Sequence, residues 1–147
     1  MNPLKRLMRG NRGSAMIEVA VSMLVAVPLL MWAFEFAMCC YTASVLQYAA
    51  REGVQFAIAH GSESSNGSGP GTSDPGGTNV QAVVKQIANS ASLHNMTGLT
   101  VTTSWESDAA TPGSPVSVKV SWQYDPYIRL PWIEPTIKGT ASAVVNY

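Results

Sequence analysis

The chain has few of the residues on which catalytic and metal sites depend. Its 147 positions include only two cysteines, two histidines and 12% charged residues. The cysteines are adjacent, so neither a zinc site nor a thioredoxin-like motif has the C-x-x-C spacing it needs. His60 and His94 form no metal-ligand spacing, and the sequence has no G-x-S-x-G elbow, P-loop or dinucleotide fingerprint. We therefore expect no enzyme, no metal site and no cofactor.

The cysteine pair, Cys39 and Cys40, leaves two interpretations open. Neighbouring residues of a helix point about 100° apart, which disfavours a bridge between the two thiols. Either both act as small apolar residues near the outer face of a membrane, or one forms an intermolecular disulfide in an oxidising compartment.

Acidic residues are missing from the first thirteen positions. Residues 1–13 carry a net charge of +4, whereas residues 14–147 carry −4. A basic arm beside an apolar run is typical of the cytoplasmic flank of a membrane segment. The rest of the chain has no basic patch for phosphates, so we expect no nucleic-acid partner. The basic residues of this leader are Lys5, Arg6, Arg9 and Arg12.

The longest apolar run, Val19–Phe34, has sixteen uncharged residues. As a helix it would span about 24 Å, which is short of the ~30 Å hydrocarbon core of a bilayer. It can extend back to Ser14, with Glu18 inside the bilayer, or forward to Cys40, with Glu35 partly immersed. Its apolar core exceeds the 7–15 residues or so of a secretory signal peptide. The pattern predicts a single-pass segment with its N-terminus in the cytoplasm.

The helical pattern continues beyond the apolar run. Pro28 is its only interior breaker, and we expect a kink there, which membrane helices tolerate. After Cys40 the pattern becomes amphipathic, so we predict one helix over residues 14–60, transmembrane in its first half. Its apolar stripe is expected to pack on a small domain. The stripe consists of Val45, Ala49, Gly53 and Phe56.

The remainder predicts a flexible loop followed by a small α+β head. Residues 61–77 are rich in Gly, Ser and Pro and have little to bury. Thr78 resembles an N-cap, with Gln81 completing a capping box at the start of a short second helix. Three alternating runs then predict an antiparallel meander whose inner face the two helices cover, within a head of residues 78–147. These runs begin at Leu99, Val116 and Ile137, and the loop Asp125–Pro135 is either an interaction surface or part of the core.

Glu18 needs an explanation because a charge at the bilayer centre costs about 2.5–3.5 kcal/mol on insertion scales. If the bond after Gly13 were cut, the ammonium of Ser14 would lie about one helical turn from this carboxylate, or reach that of a neighbouring subunit. Two opposite charges ~4 Å apart attract by about 4 kcal/mol at an effective dielectric of 20. Desolvation reduces the net gain, but the pair could hold helices in one axial register.

These residues resemble a known family. A Gly followed five residues later by Glu and an apolar helix is similar to the class III signal cut by prepilin peptidases. Together, "RGSAMIEVA", "VAVPLL", "FEFA" and "LQYAAREG" resemble TadE-like pseudopilins of the tight-adherence (Flp) type IV pilus machinery. The resemblance covers residues 12–53. The head matches that family only in general character.

The resemblance implies roles for particular residues. Gly13 and Ser14 would flank the scissile bond, and Glu18 would be the assembly glutamate. The protein would be a minor pilin held in the bacterial inner membrane, with prepilin peptidase, other pilins, inner-membrane assembly proteins and lipid as partners. Val19 stands where the family often has an aromatic residue, so TadE-like, TadF-like and other minor subtypes stay open. The alternative is an unprocessed membrane-anchored protein whose outer domain binds another envelope component.

Overall fold

The computed structural model describes residues 4–62, 64–108, 110–128 and 135–145, with side chains from residue 13 onward. Two helices precede a three-stranded sheet, so the predicted α+β class is confirmed. The elements are helix α1, Leu4–Ala59; helix α2, Thr78–Ala91; and strands β1, Thr100–Trp105, β2, Pro115–Gln123, and β3, Thr136–Val144.

The chain divides into two compact units, Met1–Met38 and Cys39–Tyr147. Helix α1 supplies residues to both of them. It begins at Leu4, ten residues before the predicted start, because no proline interrupts this stretch and its glycines only weaken a helix. The first unit is therefore helical throughout its described residues, and the second unit holds the sheet, α2 and the last third of α1.

The sheet is the predicted antiparallel meander, in the order β1-β2-β3. Every second residue of β2 is buried, because side chains alternate between the two faces of a strand. Val118 at the centre is fully buried, and its neighbour Lys119 is exposed. The opposite face carries mostly Ser, Thr and Lys. On this face the hydroxyls of Ser104 on β1 and Ser117 on β2 form a hydrogen bond of 2.7 Å. One face of the sheet thus faces the core and the other faces water.

The last third of α1 supplies much of the core of the second unit. The predicted stripe is confirmed at Val45, Ala49 and Gly53, which are buried, whereas Phe56 is half-buried. A Cβ on Gly53 would collide with the side chain of Val84 on α2. Close approach of the two helices therefore requires glycine at this position. Further buried residues on the same helix are Thr42, Leu46, Ala50, Val54 and Ala57.

The start of α2 corrects the predicted capping box. Thr78 is the first helical residue, and the N-cap is Gly77 in the left-handed conformation, with no side-chain cap of its own. Gln81 donates through Nε2 to the Gly76 carbonyl at 3.3 Å instead of reaching back to the N-cap amide. The cap comes from Asp74, a residue outside the helix.

The Asp74 carboxylate satisfies the free amides at the start of α2. Its Oδ1 accepts hydrogen bonds from the Thr78 amide at 2.9 Å and the Thr78 hydroxyl at 2.7 Å. Its Oδ2 accepts from the Asn79 amide at 2.8 Å and the Ser68 hydroxyl at 3.1 Å. Burial alone would raise the pKa of Asp74, but these bonds outweigh it and hold the pKa below its ordinary value of 3.8.

Residues 61–77 form a turn-rich segment with internal hydrogen bonds. The Ser68 amide donates to the His60 carbonyl at 2.7 Å, and the Gly69 amide donates to the Asp74 carbonyl at 2.8 Å. The indole of Trp105 lies where a Cβ on Gly69 would be, within 2.8 Å. Glycine is required there by this packing and by a φ of +121°. The flexibility expected of this segment stays a prediction.

We expect Asp74→Ala to lower the free energy of unfolding of the second unit. The substitution leaves the Thr78 and Asn79 amides without a carboxylate acceptor at a helix N-terminus, so the loss should be about 0.5–2 kcal/mol. Thermal unfolding followed by circular dichroism measures it. Asp108→Ala, at an exposed loop carboxylate, is the matched control and should leave the transition unchanged.

The stability contribution of Asp74 should also depend on pH. Because its folded-state pKa is lowered, the contribution is fully present above pH 3.8 and is lost as the pH falls through the folded value. Unfolding midpoints measured from pH 6 downward should therefore converge for the wild type and Asp74→Ala at low pH. A constant difference between the two would contradict the carboxylate cap.

A fragment beginning at Thr78 should not unfold cooperatively. It lacks the buried residues of α1, and a head of about 70 residues cannot bury a sufficient core without them. A fragment beginning at Cys39, the start of the second unit, is the control and should show a cooperative thermal transition. A sharp melt of the Thr78 fragment would refute the dependence on α1.

Candidate functional site

The residues predicted to be processed lie within α1. Gly13 and Ser14 are both exposed, and among the described residues nothing lies within 4 Å of the place that a Cβ on Gly13 would occupy. Glu18 is exposed on the same helix. The structure thus brings the three predicted residues together on one accessible stretch. Their roles in processing and assembly stay predictions.

Ser14 and Glu18 lie four positions apart on a helix. Residues at this spacing share one side of the helix, separated by a rise of about 6 Å. In the intact chain the Ser14 nitrogen belongs to a peptide bond and carries no charge. The arrangement can form an ion pair only if that nitrogen becomes an amino group.

An apolar surface follows Glu18 over the rest of the first unit. Leu24 is 75% exposed, Leu30 68% and Trp32 62%, although exposure of so many large apolar side chains to water is unfavourable. Residues 13–38 rise by about 39 Å, more than the ~30 Å hydrocarbon core. Among the described residues, one helix is long and apolar enough to cross a membrane, and this is its apolar part. The predicted membrane anchor is supported at this level.

Pro28 lies inside the helix. Proline has no amide hydrogen, so the Leu24 carbonyl cannot receive its usual intrahelical bond. The helix continues on both sides of this position.

Neither Cys39 nor Cys40 forms a disulfide with another described residue. Cys39 is half-buried and Cys40 is exposed, so they differ in accessibility as neighbouring helical residues do. Both interpretations given for them above, as apolar residues or as partners of a disulfide with another subunit, stay open.

Gln47 is the polar residue of α1 that sequence reasoning missed. Its Nε2 donates to the Thr140 carbonyl on β3 at 2.7 Å, and its Oε1 accepts from the Thr140 amide at 3.1 Å. A Cβ on the preceding strand residue, Gly139, would lie 2.5 Å from the Leu46 carbonyl oxygen. The glycine therefore lets the backbone of α1 approach the strand. Nothing in the sequence distinguishes this glutamine from Gln55, the exposed glutamine of the same helix.

The histidines lie in separate surroundings. His60 stacks on Phe56, with ring centroids 4.0 Å apart. His94 packs against the rings of Trp122 and Tyr127, with centroids 5.8 and 4.4 Å away. The described residues contain no group of three or more His, Cys, Asp or Glu that could hold a metal ion. The expected absence of a cofactor stays an expectation.

The loop Asp125–Pro135 is described only at 125–128 and 135. Most of the predicted interaction surface, including Glu134, lies outside the described residues. Tyr127, in the described part of this loop, is 55% exposed.

Comparison with known proteins gives one result for the long helix. Residues 13–55 match the TadE-like protein family. The match begins at Gly13, includes Glu18 and the exposed apolar surface, and ends in the part of α1 that packs in the second unit. The resemblance inferred from the sequence is confirmed over residues 13–55, which we call the TadE-like segment. No curated protein and no solved structure matches the chain significantly.

Proposed function

We propose that the protein is a minor pilin, or pseudopilin, that is cut by a prepilin peptidase after Gly13 and takes part in assembling a tight-adherence (Flp) type IV pilus or a related secretion filament. The TadE-like segment carries the proposal, because it begins at Gly13 and joins Glu18 to an exposed apolar helix. In this role the protein is a substrate of the peptidase and not an enzyme. The subtype stays open, and so does the choice between filament subunit, tip and assembly factor.

The charge distribution gives the proposed topology. The +4 leader stays in the cytoplasm because basic residues resist translocation, and the second unit lies on the periplasmic side of the inner membrane. Lipid surrounds the exposed apolar surface until the helix meets other pilins or the inner-membrane assembly proteins. The −4 charge of residues 14–147 gives no basis for nucleic-acid binding.

Processing would change the electrostatics at Glu18. Between residues 13 and 50 the chain has no Lys or Arg, so removal of the leader leaves the Ser14 ammonium as the nearest cation in the chain. A carboxylate in lipid needs a partner or a proton. That partner is the amino group of the same chain or of a neighbour. Only the intermolecular pair contributes to assembly.

We expect the mature chain to begin at Ser14. Mass spectrometry of the N-terminus, from cells with an active prepilin peptidase and from cells without one, tests this directly. The leader should be absent in the first case and present in the second. A Gly13→Asp variant, with a carboxylate at the proposed scissile bond, should keep its leader in both cases.

An intact leader in cells with active peptidase would overturn the proposal. It would favour the alternative, a permanently anchored single-pass protein whose outer domain binds another envelope component. In that case the protein should stay in the membrane fraction and copurify with that component.

Glu18→Ala should leave membrane insertion unchanged and lower incorporation into filaments at least about tenfold. Tenfold corresponds to about 1.4 kcal/mol, which is less than the cost of leaving one partner of a buried ion pair alone. Membrane fractionation and quantification of sheared pili give the two readouts. Glu106→Ala, at an exposed head carboxylate, is the control.

Glu18→Gln separates charge from shape in the same assay, because it keeps the size of the side chain. It should be as defective as Glu18→Ala. Normal piliation of both variants would contradict the assembly role of Glu18.

A further inference from the structure

Among the described residues, strand β3 forms one edge of the sheet, so half of its backbone groups face away from β2. The Tyr124 amide donates to the Pro135 carbonyl, and the Val145 amide donates to the Ser114 carbonyl. In an antiparallel pair every second residue bonds to the neighbouring strand, so these two bonds establish which residues of β3 bond to β2. Odd-numbered residues of β3 therefore bond to β2, and even-numbered ones face the open edge. Thr140 is the middle one of five edge-facing residues, which are Thr136, Lys138, Thr140, Ser142 and Val144.

Gln47 occupies that middle position. Its amide group donates to the Thr140 carbonyl at 2.7 Å and accepts from the Thr140 amide at 3.1 Å, as the backbone of an added strand would. Gly139 allows α1 to lie close to β3, because a Cβ at this position would collide with the backbone of Leu46. At most two consecutive edge-facing residues are then left on either side of Thr140.

We propose that Gln47 is an edge guard that keeps a second copy of this chain from pairing its own β3 with this strand. Open edges accept strands from other chains unless charge, proline, a bulge or a covering element blocks them. Strand β3 has one charged residue, Lys138, and no proline. An antiparallel β3–β3 pair centred on Thr140 would place Lys138 opposite Ser142 of the second copy, so no like charges would oppose each other.

The second copy is the occupant that this geometry favours. The two edges are identical and self-complementary about Thr140, as a two-fold interface requires. A strand that bonds only two edge residues gains too little to offset the entropy of ordering it, whereas all five form a pairing of ordinary strand length. Because Gln47 bonds both backbone groups of Thr140, it leaves a second copy only the short pairing of two edge residues.

The test compares the full chain with its Gln47→Ala variant in detergent micelles across a range of concentrations. Light scattering gives the mass, and hydrogen–deuterium exchange gives the protection of the Thr140 and Ser142 amides. We expect the variant to form a species of higher mass than the wild type as concentration rises, with slower exchange at both amides. Gln55→Ala, at an exposed glutamine of the same helix, is the control and should match the wild type.

The double variant Gln47→Ala/Thr140→Pro keeps the test specific to the edge. Proline at 140 removes an amide that faces the open edge and none that bonds to β2, so the sheet should persist and the association should disappear. Association that survives in this double variant would overturn the proposal.

A Gln47→Ala variant that keeps the wild-type mass at every concentration, with only the Thr140 amide exchanging about fivefold faster, would also overturn it. That result would make Gln47 a packing contact alone.

Discussion

The contact between the last third of helix α1 and the strands β2 and β3 is the interaction on which the head depends. The backbone of Leu46 packs closely against that of Gly139, and the small residues Ala49 and Ala50 are completely buried. Small residues allow this close packing, and close packing gives the dispersion contacts that a head of this size cannot obtain from its sheet alone. The second unit begins at Cys39 for the same reason, because its core includes the helix.

The opposite solvent requirements of α1 follow from its sequence. Residues 19–34 present large apolar side chains all round, which suits lipid, whereas residues 42–57 bury a stripe and expose the polar side. The TadE-like match extends over both kinds of surface. The family resemblance therefore concerns more than a membrane anchor, since it includes Leu46, Gln47 and Gly53, which build the head.

Periodicity predicted most of the fold because it reports burial directly. The change from a period of 3.6 to a period of 2 near residue 99 placed the strands, and the stripe at Val45, Ala49 and Gly53 placed the helix face. The cap of α2 could not be read in this way. Thr78 fits the local pattern of a cap, but the Asp74 carboxylate reaches it from four residues earlier, through a turn that only the folded segment forms.

The candidate site was predictable to a different extent. Spacing and charge made Gly13, Ser14 and Glu18 candidates, because a carboxylate beside a long apolar run is costly unless something compensates it; their roles stay predictions. Gln47 was not found, because its role depends on which strand forms the sheet edge and where α1 crosses it. A side chain that bonds a backbone group 93 positions away leaves no local pattern.

The charge distribution links the basic leader to Glu18. The intact chain is neutral, and a cut after Gly13 would leave it at −4, with no basic side chain before Arg51. A new ammonium at Ser14 would then be the only positive group near the apolar surface, and Glu18 the carboxylate closest to it. The leader would serve insertion and then be removed, since its four cations would otherwise compete for Glu18. Under the proposed processing, insertion and assembly would place opposite demands on the same thirteen residues, and cleavage after Gly13 would satisfy both.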